Sequence, residues 1–388
     1  MLLKCWRRPC NRWNGVSSIE NRKRIELTEW LFRKASRRRV PLSGAFELSP
    51  VCNFSCPMCY VRKTRQEVEA TSRGLLSAKE WLEIAKQAKA EGMLYLLLTG
   101  GEPFLWEGFW TLYEELAQMG LLISINSNGY LVDEQVVKRL DKLPPYKINI
   151  TLYGGCDETY RNMCGIENGF TKVSRGITLL KEAGIPVKLN CSLTPENAQD
   201  LEKIAAYAQK EDLPLQVATY MFPPVRRNPN QIGCNDRFTP QEAAKARMQY
   251  FRMYYGEEKY RTYAQSLLEN KAIESLPEDY SCKMSCRAGK ASFWITWDGG
   301  MTPCGMMPEP KVDIRKQPFA DAWKETVEQT DAITIPSTCA ACEKKEICHL
   351  CAAMVYSETG NFHEVPTYLC ETIKALQIEA KNSLYKEE

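Results

Sequence analysis

Cys52-Asn53-Phe54-Ser55-Cys56-Pro57-Met58-Cys59 is the stretch on which this 388-residue chain turns. It follows a β-rich run, residues 44–51, and gathers three thiols into one short loop. Cysteine thiolates are the usual ligands of [4Fe–4S] clusters, and three can wrap one corner of the cube. The fourth iron is then open to a bidentate small molecule. A zinc knuckle is the competing reading, but structural zinc takes four protein ligands, and no fourth lies nearby in the sequence.

Downstream of the loop, β-rich runs alternate with amphipathic stretches. Strands are expected at 44–51, 95–99, 122–127, 147–152, 187–192 and 215–220, with helices at 78–90, 109–119, 133–143, 170–183 and 197–209. Leu82, Ile84, Ala85 and Ala88 show the helical spacing. Such alternation predicts an α/β fold, a parallel sheet covered by helices. Six units make a partial, TIM-like (β/α)6 barrel, whose active site sits at the C-terminal strand ends.

The chain divides on this reading into a basic arm (1–43), the barrel (44–238), a helical linker (239–276), a cysteine-rich domain (277–370) with little regular structure, and a C-terminal helix (371–388). Residues 1–40 hold 12 Lys or Arg against 3 Glu, although the whole chain carries only +3. That arm reads as a solvated segment or as a dock for an acidic peptide or nucleic acid. The 17 cysteines are clustered, and neither an export signal nor an apolar membrane-spanning run is visible. Metal or cluster ligation in the cytoplasm is therefore expected rather than disulfides. With only His349 and His363 present, imidazole catalysis has few carriers.

The Cys-x3-Cys-x2-Cys loop after the first strand resembles that of the radical S-adenosylmethionine (SAM) superfamily. The resemblance implies that Cys52, Cys56 and Cys59 hold a catalytic [4Fe–4S] cluster whose open iron binds SAM. Reductive cleavage would then give a 5′-deoxyadenosyl radical that abstracts hydrogen from substrate. The position before the last cysteine, often aromatic in the family, is Met58. Thr99-Gly100-Gly101-Glu102-Pro103, at the next strand end, matches the family's motif for the methionine amino group. Two glycines allow close backbone approach there, and exposed carbonyls with a carboxylate suit an ammonium. By the same resemblance Tyr60, Ser127, Thr151 and Arg175 would complete the SAM site.

The later pattern is Cys282-x3-Cys286, Gly299-x4-Cys304, Cys339-x2-Cys342-x5-Cys348-x2-Cys351 and Cys370. Two Cys-x2-Cys pairs by themselves suggest zinc or iron–sulfur. The spacing resembles the SPASM extension of radical SAM maturases, which implies two auxiliary [4Fe–4S] clusters. Carried over, Cys282, Cys286, Cys304 and Cys351 hold the first, and Cys339, Cys342, Cys348 and Cys370 the second. The family has three residues where Cys348-x2-Cys351 has two, which leaves His349 as an alternative ligand.

Sulfatase maturation is disfavoured, because the family's base after the third SPASM cysteine is Gly305 here. Asp298, Asp157 and Glu158 are the candidate acid or base groups, although Asp298 before two glycines also reads as a turn residue. Tyr153, Cys156 and Cys164, after the fourth strand, are candidate hydrogen donors or ordinary packing groups. The 43 residues before the first strand are too few for a winged-helix leader-binding module. The expected partners are a peptide or protein substrate and a one-electron donor such as flavodoxin or ferredoxin, with no membrane and no nucleic acid. A small-molecule substrate, as in tetrapyrrole or cofactor synthesis, is the alternative.

Overall fold

The computed structural model describes residues 27–234, 236–271 and 283–385. The first 26 residues, with Cys5 and Cys10, and the expected ligand Cys282 lie outside them.

Six parallel strands follow the predicted order: β1 (Ser43–Glu47), β2 (Tyr95–Thr99), β3 (Leu122–Ser127), β4 (Lys147–Thr151), β5 (Val187–Ser192) and β6 (Leu215–Ala218). Helices such as Ala78–Ala90, Phe109–Gln118, Glu134–Lys142, Gly169–Glu182 and Leu201–Lys210 run between them. The arrangement is the expected mixed α/β partial barrel. Its outer face is the apolar core: Leu96, Leu98, Ile123, Ile125, Ile148, Ile150 and Leu189 are buried beneath the helices. Burying this shared face is the main force holding strands to helices.

The opposite face differs. Along β3, β4 and β5 the alternate residues Ser124, Asn126, Asn149, Thr151, Asn190 and Ser192 are half-exposed. A parallel sheet buried on both faces reads as near-continuous Val, Ile and Leu. The polar alternation here therefore marks an inner wall open to solvent or ligand.

The cysteine-rich region departs from the expectation of little regular structure. It supplies β7 (Ser292–Ile295), which pairs parallel to β1, and then β8 (Gly300–Thr302) and β9 (Val312–Asp313) in antiparallel continuation. The sheet thus has nine strands in the order β6-β5-β4-β3-β2-β1-β7-β8-β9. Helix Phe319–Ala332 packs beside it, with Phe319 and Trp323 against Phe293 of β7. Strand pairing to β1 and aromatic packing organise this region.

Several helices escape the sequence pattern, Arg65–Glu69 and Ala352–Thr359 among them. Leu27–Arg38 falls within the expected basic arm, and Asp157–Cys164 follows β4. The final helix, Thr367–Tyr385, begins before Cys370 and packs on helices Pro240–Tyr255 and Glu257–Leu268. No helix among the described residues is long and apolar enough to cross a membrane.

Candidate active site

Strand β1 ends at Glu47 and delivers the cysteine loop to the C-terminal edge of the sheet, where β2 delivers Gly100-Gly101-Glu102. The two segments run together: Gly101 N–H donates to Ser49 O (2.7 Å) and Glu102 N–H to Val51 O (3.0 Å). A β-carbon on Gly100 would lie 2.4 Å from Ser49 O, and one on Gly101 2.4 Å from Val51 O. Gly100 also has φ +147, a conformation that glycine alone adopts freely. The glycines are therefore needed by the approach of the loop leading into Cys52.

Glu102 is fully buried. Its carboxylate accepts from Ser127 Oγ (2.9 Å), Phe104 N–H (3.2 Å) and Asn128 N–H (2.8 Å). Burial raises its pKa to about 7, against the pull of those hydrogen bonds. Glu102 and Ser127 are thus brought together, with the carboxylate clamping the end of β3. Asn128, next to Ser127, donates to Asn53 Oδ1 (2.8 Å) and approaches Cys52 Sγ at 3.6 Å.

The three thiols fit a cluster by their chemistry. Cys52 Sγ accepts the Phe54 N–H (3.4 Å) and Cys59 Sγ the Arg62 N–H (3.3 Å). Burial pushes the Cys52 thiol up to about 12, with Glu102, Cys56 and Cys59 adding charge repulsion. Burial also raises Cys59. Among the described residues no three potential ligands close on one point as a single metal ion requires. The sulfurs still lie within one another's field, as irons of a cube that each take one thiolate demand. A fourth thiol is near in space although not in sequence: Cys164 Sγ lies 3.7 Å from Cys56 Sγ.

Tyr60 leads to a second buried assembly. Glu47, 1% exposed, takes a two-pronged ion pair from Arg226 (2.9 and 3.0 Å) and a hydrogen bond from Trp294 Nε1 (3.0 Å). Arg226 also donates to Gly305 O (2.6 Å) and lies 5.6 Å from the Tyr60 ring. The catalytic loop beside Cys59 is thereby tied to the chain beside Cys304. A β-carbon at Gly305 already lies 2.7 Å from the Trp294 ring, so a longer side chain has no room there. The salt bridge was invisible to sequence reasoning, since its partners stand 179 residues apart.

Other expected site residues separate. Thr99 and Thr151 end β2 and β4, at the cluster edge of the sheet. Arg175 does not reach it: its side chain is 68% exposed and pairs with Glu134 on the neighbouring outer helix. The helix register turns it outward, away from Thr151. Asp298 sits in the β7–β8 turn, held by Thr296 Oγ1 (2.6 Å) and Lys311 (2.7 Å). Burial opposes its charge, but Lys311 and Thr296 outweigh that and keep its pKa low, which suits a turn anchor better than a base. Asp157 caps Thr171 and Cys156 approaches Asp200 Oδ2 at 3.5 Å, both as packing groups. Tyr153 instead packs edge-on against Phe54, with its hydroxyl near Cys56. The row Asn126–Asn149, joined at 2.7 Å on the inner wall, was also missed. The polar alternation in 124–126 and 147–151 was the signal for it.

The C-terminal thiols sort into two groups by mutual influence. Burial pushes Cys351 up to about 12, and neighbouring Cys286 and Cys304 add to it. Burial likewise takes Cys348 to about 12, with Cys370, Cys339 and Cys342 contributing. His349, in the left-handed conformation (φ 50), reverses the chain between Cys348, at the end of one short helix, and Cys351, before the next. The chain therefore changes direction between Cys348 and Cys351.

Residues 46–208 match the radical SAM superfamily. An AdoMet-dependent heme synthase of Methanosarcina barkeri is 23% identical over 85% of this chain and 96% of its own. The sporulation killing factor maturation protein SkfB of Bacillus subtilis is 28% identical over 42% of this chain and 39% of its own. The solved structure of Streptococcus suis SuiB bound to precursor peptide SuiA shares the fold, with TM-score 0.64 and 17% identity over 92% of this chain and 84% of that one. Residues 46–208 thus form a radical SAM domain, and the cysteine-rich region that follows fits a SPASM extension.

Proposed function

We propose that this enzyme matures a ribosomally made peptide or protein, removing a side-chain hydrogen atom to give a cross-link, thioether, epimer or oxidised product. The observation that carries the reading is the pairing of the Cys52–Cys59 loop with Gly100-Gly101-Glu102 at the rim of a polar inner wall. When bound at Cys52, Cys56 and Cys59, the cluster supplies the electron that cleaves SAM to methionine and the hydrogen-abstracting 5′-deoxyadenosyl radical.

The chain's own residues orient and shield. Backbone carbonyls beside Gly100 and Gly101 suit the methionine ammonium, and Glu102 with Ser127 and Asn128 holds that edge rigid. Asn126, Asn149 and Thr151 offer polar contacts along the wall. Cys282, Cys286, Cys304 and Cys351 would hold one auxiliary cluster and Cys339, Cys342, Cys348 and Cys370 the other, both serving electron transfer or structure. A cytoplasmic one-electron donor of the flavodoxin or ferredoxin class completes the system.

A peptide substrate is supported by SkfB, named a maturation protein, and by SuiB, solved with its precursor peptide. The second reading, a tetrapyrrole or cofactor enzyme, is favoured by the heme synthase likeness, which runs nearly end to end. Anaerobic turnover with SAM and dithionite separates them by mass spectrometry. A mass change on a short peptide encoded beside this gene supports maturation. Decarboxylation of a tetrapyrrole with no change to any such peptide refutes it.

A further inference from the structure

Cys56 differs from its two partners in what surrounds its sulfur. Cys52 and Cys59 each accept a backbone N–H, whereas Cys56 meets two side chains. Cys164 Sγ lies 3.7 Å away and is wholly buried. The Tyr153 hydroxyl is the other neighbouring group.

Both are rigidly placed. Cys164 ends the helix Asp157–Cys164, and its carbonyl accepts the Ser55 N–H (2.8 Å) and Ser55 Oγ (3.1 Å), so this helix is stitched to the loop one residue before Cys56. Gly165 closes the helix in the left-handed conformation (φ 67), and a β-carbon there would lie 2.5 Å from Ser55 Oγ. Tyr153 is wedged by Phe54 and Tyr160, and its N–H donates to the Tyr160 hydroxyl (3.2 Å).

A thiolate bound to iron carries no proton, so in the Cys56–Cys164 contact the Cys164 S–H must be the donor. Hydrogen bonds to cluster sulfurs are one of the levers by which proteins set reduction potential. Donors favour the more negative, reduced cluster. We propose that Cys164 and Tyr153 are positioning residues that donate two hydrogen bonds to the Cys56 sulfur and make the catalytic cluster easier to reduce. The step concerned is uptake of one electron from a flavodoxin- or ferredoxin-class donor, with no bond made and no proton leaving either group. The inference rests on the radical SAM reading of the loop.

The test is an anaerobic redox titration of reconstituted, full-length enzyme, following the electron paramagnetic resonance signal that changes when SAM is added. Wild type is compared with Cys164→Ala, Cys164→Ser and Tyr153→Phe, with iron counted in each. Cys164→Ala should lower the reduced-to-oxidised ratio at fixed potential about tenfold, a 59 mV fall for one electron, with iron content unchanged. Tyr153→Phe should move it in the same direction, and Cys164→Ser, which keeps a donor, should restore it. Wild-type potentials in both Cys164→Ala and Tyr153→Phe overturn the proposal. Loss of iron in Cys164→Ala alone also overturns it, by making Cys164 a ligand. If Cys52→Ala/Cys56→Ala/Cys59→Ala retains the SAM-sensitive signal, it is the radical SAM reading that fails instead.

Discussion

Replacing Arg226 by Met should be among the most damaging single changes in the molecule outside the cysteines. The guanidinium side chain is 10% exposed and holds the 1%-exposed Glu47 by paired contacts of 2.9 and 3.0 Å. Methionine fills the same length but leaves Glu47 with only the Trp294 indole, and leaves Gly305 O without its 2.6 Å donor. Stranding one charge of a buried pair costs roughly 3–5 kcal/mol. Removing both charges, in Glu47→Gln/Arg226→Met, should recover about half of that, a coupling of about 2 kcal/mol. Urea unfolding of anaerobic enzyme, read by tryptophan fluorescence and far-ultraviolet dichroism, measures this as a midpoint shift at unchanged slope. Iron content should fall alongside, because the pair ties the chain beside Cys59 to the chain beside Cys304. An Arg226→Met protein within about 1 kcal/mol of wild type would refute the reasoning, because an uncompensated buried charge costs more than that.

Gly101→Ala should strip iron from the catalytic cluster while leaving the fold measurable by dichroism, since its β-carbon meets Val51 O at 2.4 Å and pushes the cysteine loop away. Glu102 titrates near 7 in the folded protein against about 4.3 unfolded, so its folded form binds the extra proton between those values. Its contribution is therefore full below about pH 4.3 and declines as pH rises towards 7, by about 4 kcal/mol in all. Subtracting the Glu102→Gln stability profile from wild type should reveal that slope, and parallel profiles would contradict it. Arg175→Ala should change stability by less than about 0.5 kcal/mol and leave SAM affinity intact, since an exposed pair is worth little; a lost SAM isotherm would restore it to the site. Iron analysis of Cys52→Ala/Cys56→Ala/Cys59→Ala should fall from about twelve to about eight per chain, as four irons per cysteine set imply.

Much of this enzyme is written locally. Strand β3 could be bounded to the residue because alternation of apolar and polar side chains is a property of six consecutive positions, and Ser77 with Glu80 caps the first barrel helix by a bond between neighbours. The Cys52–Cys59 loop could be read because its ligand spacing is local, whereas the division of the later cysteines into two sets rests on the resemblance to the SPASM extension. What the chain could not disclose by pattern are encounters across long separations. Cys164 meets Cys56 from 108 residues away, Arg226 meets Glu47 from 179, and β7 joins β1 at the sheet's edge. Periodicity says which face of an element is apolar, and spacing says which groups can share a loop. Which buried polar groups face each other depends on how the loops pack at the strand ends, and only the assembled tertiary structure decides that.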